Sequence, residues 1–403
     1  MPEMTAPRPR AARVATWIFF AVNGFALGMW VVHIPVIERA TGISHATLGG
    51  LLLVLGGSAF VGMQVAGPLV DRFGHRIVLP SAGMLISVSL IGPGLATNWW
   101  TLAITLALFG FGNGAIDVAM NAHAAAVERV YERPIMAAFH AMFSIGGAGA
   151  AVVGAAVLGA GLAPSTSLTG CAIVCAAAVL ISGRFVIAIP APAEGTEEEQ
   201  AVRQPAPMRL VWLLGALAFA LFLAEGIAND WAALQLKDVL GTSASTAALA
   251  YGAFSVTMTA GRFAADRVTQ LVGPATVVRY GAALAALGLI TASASPWVVL
   301  AIAGWAVFGL GLSGCVPQLF TAAGNLDTRA SGALMAKVVG LGYVGLLAGP
   351  AVIGGLTHWM PLNVAFILPI ALCVIASFGA SVLKPRAEPV QEPVETGASR
   401  ADG

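Results

Sequence analysis

Charged residues are scarce in this sequence. Only 10% of its 403 residues are charged and 58% are apolar, whereas roughly 25% of residues are charged in a soluble globular protein. The net charge is +1 and no basic cluster occurs, although nucleic-acid binding requires concentrated Lys and Arg. The composition therefore indicates an integral membrane protein and excludes a nucleic-acid partner.

Cysteine is also rare, and its four positions form no recognisable pattern. All four lie inside apolar runs, where a thiol behaves as a small hydrophobic group. Cys171 and Cys175 share a helix face, but no histidine or second cysteine pair accompanies them as a zinc site would require. We expect no disulfide framework, no metal and no cofactor.

Motifs of membrane enzymes and pumps are missing as well. The sequence has no HExxH, no GxSxG and no pair of acids on adjacent helical turns, which argues against an enzyme. It also lacks a GK[ST] phosphate loop, so an ion gradient is the expected energy source. The polar ends are too short for a folded signalling domain. A non-transporting sensor or an intramembrane enzyme is therefore kept only as the alternative from another class.

Long apolar runs are abundant, and twelve of them reach the roughly 20 residues that cross a bilayer as a helix. In the first half they cover 12–35, 46–70, 77–97, 99–128, 136–161 and 167–189. In the second half they cover 210–235, 245–265, 275–295, 297–323, 331–357 and 362–383. The first run is too long for a signal peptide, so we interpret it as a retained helix.

Polar segments divide the chain into predicted domains. A stretch rich in proline and glutamate lies between the two sets of spans and suits a solvated linker. We predict a first six-helix bundle, a linker, a second bundle and a disordered tail, at 1–189, 190–208, 209–384 and 385–403. The predicted fold class is an all-α integral membrane protein with twelve transmembrane helices.

Positive charges fall almost entirely at one end of the predicted spans. With the N-terminus in the cytoplasm, only Arg39 and Lys237 of the twenty Lys and Arg lie in or beside external loops. Because cytoplasmic loops carry an excess of these residues, both termini, the linker and the tail are predicted to be cytoplasmic.

Two short segments repeat between the halves. VAGPLVDRFG at the end of the second span resembles TAGRFAADRV at the end of the eighth, and FGFGNG in the fourth resembles FGLGLSG in the tenth. The members of each pair lie about 195 to 200 residues apart. The repeat predicts two pseudo-symmetric bundles that rock about a site near the midplane.

The loop after the second span has the pattern GxxxDRxGxR, formed by Gly67, Asp71, Arg72, Gly74 and Arg76. This pattern resembles the signature loop of the major facilitator superfamily, and with the twelve spans and the repeat the resemblance covers nearly the whole chain. It implies the major facilitator fold and a conformational latch at this loop. A charged turn that only obeys the positive-inside rule is the alternative.

The repeated segment in the second half supplies further latch candidates, namely Arg262, Asp266 and Arg267. We expect Arg262 near a cytoplasmic helix end, where a long cationic side chain can reach the membrane surface. A latch or simple anchoring is the expected role there, rather than contact with a solute.

One acid, Asp117, lies inside the glycine-rich run Phe109 to Asn121. A carboxylate at this depth costs at least about 2.5 to 3.5 kcal/mol, so it should face a cavity, be paired or be protonated. A structural hydrogen bond to a neighbouring helix is the alternative interpretation.

Finer features resemble the group of bacterial permeases typified by YbjJ, which is related to the proton-coupled fucose permease. They are GFGNGAIDVAMN, FHAMFSIGG with His140, AEGIANDWAALQL and GLGLSGCVPQLFTAAGN. In the fucose permease an acid four residues before an Asn is a protonation site, and Asp117 and Asn121 match that spacing. The resemblance implies the same role for Asp117. The first span, however, has Asn23 but no carboxylate, so sugar specificity does not carry over.

Other polar residues within the spans are candidates for coupling or binding. Glu225 is a second proton candidate and His140 a possible relay member, although a buried histidine more commonly serves helix packing. Candidates for solute contact are Asn23, Gln64, Asn121, Asn229, Asp230, Trp231 and Gln318. For Asp230 and Trp231 the alternative is a place in the external interface, where indoles are enriched.

Together these features predict a secondary active transporter of the bacterial cytoplasmic membrane. The leading expectation is proton-coupled symport of a small polar organic solute, sugar-like compounds included, by alternating access in a monomer. Proton-driven export of an amphipathic compound uses much the same residues and stays open as the second interpretation.

Overall fold

The computed structural model describes residues 9–187 and 207–383, which form twelve long helices numbered α1–α12 in chain order. The first six are Pro9–Thr41, His45–Phe73, His75–Leu95, Trp99–Tyr131, Met136–Gly159 and Pro164–Gly183. The last six are Met208–Val239, Ala244–Val272, Pro274–Ala294, Val298–Leu326, Ser331–Leu356 and Leu362–Leu383. The predicted tail and nearly all of the predicted linker lie outside the described residues.

Eleven of these helices are long and apolar enough to cross a membrane. The remaining helix, α8, has 29 residues but carries the polar residues of the second repeated segment. The predicted number, order and all-α character of the spans are confirmed, although several helices extend beyond the predicted ends. The chain is a multi-pass membrane protein.

Four helices are less regular than the apolar runs suggest, including α12, which is divided at Phe366 and ends in a 3₁₀ turn at Ala380–Leu383. A break at Leu90 divides α3, and α7 ends in a π-helical turn at Gln235–Val239. Helix α10 consists of Val298–Leu312 and Cys315–Leu326. The sequence prediction of one continuous tenth span therefore missed an interruption at the Ser-Gly dipeptide of FGLGLSG.

Glycines allow helix backbones to touch within each half. A Cβ atom at Gly146 of α5 would fall on the Ala21 carbonyl oxygen of α1. A Cβ atom at Gly345 of α11 would fall on the Phe219 carbonyl oxygen of α7. Small residues at such crossings permit close approach of membrane helices. Because α1–α5 and α7–α11 are equivalent pairs, the internal repeat extends to the helix contacts.

Consecutive helices alternate in direction, so both ends of the described chain lie on one face, which we call the terminal face. The turns after α2, α4, α8 and α10 lie there as well. Gly74 after α2 and Gly273 after α8 adopt nearly the same left-handed backbone, with φ of 77° and 79°, a region that glycine enters without steric cost. We call the other side the opposite face.

Candidate functional site

Asp117 lies inside α4 with 6% of its surface exposed. Asn121, one turn later, donates from Nδ2 to Asp117 Oδ1 over 3.4 Å and to the Asp117 carbonyl oxygen over 2.9 Å. The second carboxyl oxygen, Oδ2, has no hydrogen-bond partner among the described residues. The predicted pair is therefore formed, and it leaves one buried carboxyl oxygen available.

Tyr343 of α11 brings the second half of the molecule to this carboxyl group. Its side chain lies close enough to Asp117 and Glu225 to interact with their charges. It also lies beside the side chain of Asn113, one turn before Asp117. Its ring centroid lies 6.0 Å from that of Phe222 on α7. Sequence reasoning missed Tyr343, because nothing in the sequence marks a single tyrosine of an apolar run as a neighbour of two distant acids.

Glu225 of α7 forms an ion pair with Arg262 of α8 at 3.5 Å, and the two side chains are only 16% and 11% exposed. Arg262 also donates from Nη1 to Ser144 Oγ of α5, in the other half, over 2.8 Å. The prediction that Arg262 lies near a cytoplasmic helix end is wrong. Its guanidinium group remains inside the protein because Glu225 and Ser144 supply buried partners for it.

His140 of α5 lies between aromatic rings from two other helices. Its ring centroid is 5.3 Å from Phe20 of α1 and 5.6 Å from Phe320 of α10. The Nε2 atom is buried and has no partner among the described residues. His140 therefore lies between the two halves. It belongs to α5, the helix that Arg262 also contacts through Ser144.

Several other buried amide groups also lack partners within the described chain. Neither side-chain polar atom of Asn23 on α1 is hydrogen-bonded, nor is Oδ1 of Asn121 or Nε2 of Gln318 on α10. All three residues are at most 3% exposed. Because buried polar groups are nearly always hydrogen-bonded, these atoms suit contact with water or with a bound solute.

The other predicted solute contacts have different surroundings. Gln64 of α2 donates from Nε2 to the Ala336 carbonyl oxygen of α11 over 3.0 Å, which joins the halves. The Trp231 indole of α7 donates to the Pro350 carbonyl oxygen of α11 over 3.3 Å. Asn229 and Asp230 are exposed towards the opposite-face end of α7. Gln64 and Trp231 thus serve helix contacts, whereas Asn229 and Asp230 are free for a solute.

Asp71 ties the end of α2 to the start of α11 at the terminal face. Its two carboxyl oxygens accept the backbone N–H groups of Gly332 and Ala333 over 2.7 and 2.8 Å. A Cβ atom at Gly67 would lie 2.6 Å from the Gly332 carbonyl oxygen, so glycine is what lets these helices approach. Within the same loop Arg76 donates from Nε to the Val186 carbonyl oxygen over 3.1 Å.

Asp266 makes the equivalent contact at the end of α8. It accepts the N–H groups of Ala137 and Ala138 at the start of α5, both over 2.9 Å. The first N–H groups of a helix have no partner within it and favour negative charge. Each half therefore caps a helix of the other half. The remaining latch candidates, Arg72 and Arg267, have exposed side chains, and Arg72 stacks on the Phe73 ring.

Glu128 and Arg129 at the end of α4 complete the terminal-face contacts, and sequence reasoning missed both. Glu128 accepts the N–H groups of Ile135 and Met136 over 2.6 and 2.8 Å, and the Thr321 hydroxyl of α10 over 2.6 Å. Arg129 donates to the Gly324 carbonyl oxygen and to Asn325 Oδ1, both over 2.9 Å. Their adjacent, opposite charges beside a short loop were the feature of the sequence that could have indicated these contacts.

The sequence matches one protein family over both of its halves. The family model of the Major Facilitator Superfamily matches residues 16–234 and 214–401. An uncharacterized MFS-type transporter of Yersinia pestis is 34% identical over 355 residues, which are 88% of this chain and 91% of the relative.

Solved structures share the fold at low sequence identity. The transporter FucP in its outward conformation superposes with a TM-score of 0.77 at 13% identity, covering 93% of this chain and 98% of FucP. The proton:xylose symporter XylE bound to 6-bromo-6-deoxy-D-glucose gives a TM-score of 0.74 at 14% identity, covering 92% and 94%.

Proposed function

The chain belongs to the major facilitator superfamily, and on that premise we propose that it is a proton-coupled symporter of a small polar organic solute. The family and the fold make it a transporter rather than an enzyme. The coupling ion, the solute class and the direction of transport are our proposal, and the observation that carries it is the buried, half-unpartnered carboxyl group of Asp117.

Asp117 is the proposed proton carrier. An ionisable group inside a membrane span is expensive and marks a functional position. Its Oδ2 atom is buried without a partner among the described residues, so a proton or a solute hydroxyl can occupy that side. The similarity in fold to XylE, a proton:xylose symporter, is consistent with proton coupling.

Glu225 is the proposed second acid, and its environment differs from that of Asp117. Because Arg262 lies 3.5 Å away, Glu225 has an opposite charge beside it that favours its ionised form. Tyr343 is within electrostatic range of both carboxyl groups. We propose that Asp117 exchanges the proton and that the Glu225–Arg262 pair and His140 respond to it across the interface between the halves.

The solute is proposed to bind between the halves at the unpartnered amide groups. Asn23, Asn121 and Gln318 offer buried donors and acceptors, and Asn229 and Asp230 are exposed on α7 towards the opposite face. Such groups recognise hydroxyl, carbonyl or amino functions through hydrogen bonds. This chemistry supports a small polar solute with several such functions.

The proposed cycle is alternating access by rocking of the two halves. The polar contacts described above between the halves all lie in the half of each helix that is nearer to the terminal face. They are made by Gln64, Asp71, Glu128, Arg129, Arg262 and Asp266. Breaking them would open a path from that face. The conformation described is therefore the proposed terminal-face-closed state of the cycle.

We place the terminal face in the cytoplasm of a bacterial cell, with the protein a monomer in the cytoplasmic membrane. The positive-inside distribution supports this orientation, since Arg39 and Lys237 are the cations at the opposite face. An impermeant thiol reagent applied to intact cells should label Arg39→Cys and spare Arg329→Cys. The reverse labelling pattern would invert the orientation.

Proton movement in proteoliposomes tests the proposed function. A thermal-shift screen of sugars, nucleosides, amino acids and organic acids first identifies a bound solute, because a ligand of the folded state raises its apparent stability. That solute is then added outside vesicles that contain a pH-sensitive dye.

Symport predicts that the vesicle interior acidifies as the solute enters, because each solute molecule brings protons with it. Proton-driven export, the second candidate, predicts that the interior becomes more alkaline as protons leave in exchange. Solute entry with an unchanged interior pH would overturn proton coupling altogether.

A further inference from the structure

A cavity of about 470 Å³ opens at the terminal face where the two halves meet. Helix α1, the turn between α4 and α5 and the start of α5 form one wall, and α8 forms the other. None of its lining residues belongs to the polar groups around Asp117, and of those residues the proposed transport cycle uses only Asp266.

Positive charge dominates the lining of this cavity. Arg13, Arg133 and Arg267 contribute three guanidinium groups. Asp266 is the one acid among the lining residues, and both of its oxygens already accept N–H groups of α5 over 2.9 Å. The lining therefore has an excess of positive charge, which suits an anion-binding site. Guanidinium groups match phosphate and carboxylate oxygens in geometry.

Two donors of lining residues are buried without a partner among the described residues, Nε of the Arg13 guanidinium group and the indole Nε1 of Trp17. The Arg13 guanidinium lies over the Trp17 ring at 4.7 Å and over the Tyr131 ring at 5.4 Å, and Arg133 approaches the same Tyr131 ring at 5.7 Å. Aromatic faces therefore hold these two arginines in position, and Nε of Arg13 has no partner among the described residues.

The cavity changes from charged to apolar with depth. Arg133 lies in the terminal-face turn and Arg267 in the last turns of α8, whereas Met142 of α5 and Phe263 of α8 lie further into their spans. Phe263 is 51% exposed on a membrane-spanning helix, so its ring meets lipid chains. A ligand that fits this gradient has an anionic head and an apolar tail.

We propose that this cavity binds the phosphate headgroup of an anionic phospholipid. Basic pockets between membrane helices are suited to such headgroups, and the acyl chains would follow Met142 and Phe263 into the bilayer. Arg13 and Arg133 belong to the first half and Arg267 to the second. A bound phosphate therefore bridges the halves and stabilises the terminal-face-closed conformation.

Lipid-dependent stability of the purified, full-length protein tests the site. Phosphatidylglycerol added to the detergent solution should raise the apparent unfolding temperature, because it binds the folded state, and phosphatidylcholine should not. Arg133→Gln and Arg267→Gln should each require about fivefold more phosphatidylglycerol for the same rise, since one surface arginine contributes about 1 kcal/mol to such binding.

Arg209→Gln is the matched control, because Arg209 is also an exposed arginine at the terminal face, at the start of α7 and away from the cavity. It should respond to phosphatidylglycerol as the unaltered protein does. Equal stabilisation by phosphatidylcholine, or cavity variants that respond as Arg209→Gln does, would overturn the proposal. An equal effect of inorganic phosphate would replace the lipid with a free anion and would also overturn it.

A second readout needs no comparison of variant stabilities. Ser331 is 3% exposed at the start of α11, and its hydroxyl has no hydrogen-bond partner among the described residues, so Ser331→Cys is a nearly isosteric probe. Its alkylation should slow when phosphatidylglycerol is added. An unchanged rate would refute the proposed bridging of the halves.

Discussion

Asp117 and Glu225 are buried acids on opposite halves of the molecule, and their partners differ. Glu225 lies 3.5 Å from Arg262, whereas the observed partner of the Asp117 carboxyl group within the described chain is the Asn121 amide. A cation stabilises the charged form of a carboxyl group, and an amide does so much less. The two proton candidates of the sequence therefore become one proposed carrier, Asp117, and one charge-paired acid.

At the scale of single residues, the first prediction concerns the buried ion pair of Glu225 and Arg262. Glu225→Gln should destabilise the folded protein by roughly 3 kcal/mol, because removal of one partner leaves the buried Arg262 guanidinium uncompensated. Arg262→Gln should be destabilising for the same reason. The double variant should recover much of the loss, since it leaves no unpaired charge.

Thermal unfolding of the three variants in detergent measures this double-mutant cycle. Strictly additive losses would mean that the pair does not interact in solution. Asp230→Asn is a suitable control, because Asp230 lies on the same helix but is exposed.

Helix termini are the features that connect the halves at the next scale. Asp71 caps α11 and Asp266 caps α5, so each half supplies the acid for a helix of the other. Glu128 satisfies two more N–H groups at the start of α5. The start of α5 therefore has two carboxylate caps, and that of α11 has one.

The second prediction follows from this difference in capping. Asp71→Ala should open the terminal face more than Asp266→Ala, because the start of α5 retains Glu128, which also accepts the Thr321 hydroxyl of the other half, whereas α11 loses its one observed side-chain cap. A lost cap costs about 1 kcal/mol, which corresponds to roughly fivefold in the open population. The alkylation rate of Ser331→Cys, with the buried native cysteines replaced, reports this opening. Equal rates in both variants would contradict the unequal capping.

Helix contact between α2 and α11 gives the third prediction. Gly67→Val should prevent closure, because a Cβ atom there would lie 2.6 Å from the Gly332 carbonyl oxygen and 2.7 Å from the Ala336 Cβ atom. The same alkylation assay should show faster labelling together with lost transport. Gly57→Val is the control on the same helix, since a Cβ at Gly57 meets nothing within 4 Å. Labelling that is as slow as in this control would refute the close contact.

The helices and their contacts also show which features of the structure could be predicted from the sequence. Eleven of the spans were predictable because their apolar length marks a membrane helix, and Asp71 stood out because its loop has a recognisable pattern. Glu128 and Tyr343 were missed because their partners are distant in the chain and meet them only after the helices dock. The predicted position of Arg262 was wrong because a cation near a predicted helix end suggests the membrane surface. Only the fold shows that Glu225 and Ser144 lie beside it.

At the scale of the whole molecule, two similar halves meet through contacts near one face and enclose unpartnered polar groups deeper inside. Closing one face while a solute occupies the interior is the requirement of alternating access. The fold and the family are established by comparison, whereas the solute, the proton and the direction of movement are proposals. Their common element is Asp117, through which rocking of the halves would be linked to a proton gradient.

The most direct measurement compares two activities of Asp117→Asn in proteoliposomes, solute counterflow and accumulation driven by a pH gradient. Asn keeps the shape of the side chain and one acceptor oxygen for the Asn121 amide, but it cannot exchange a proton. We predict that counterflow persists and that accumulation is lost, while Asp238→Asn, at an exposed position on α7, retains both. Accumulation by Asp117→Asn that matches the unaltered protein would contradict the account.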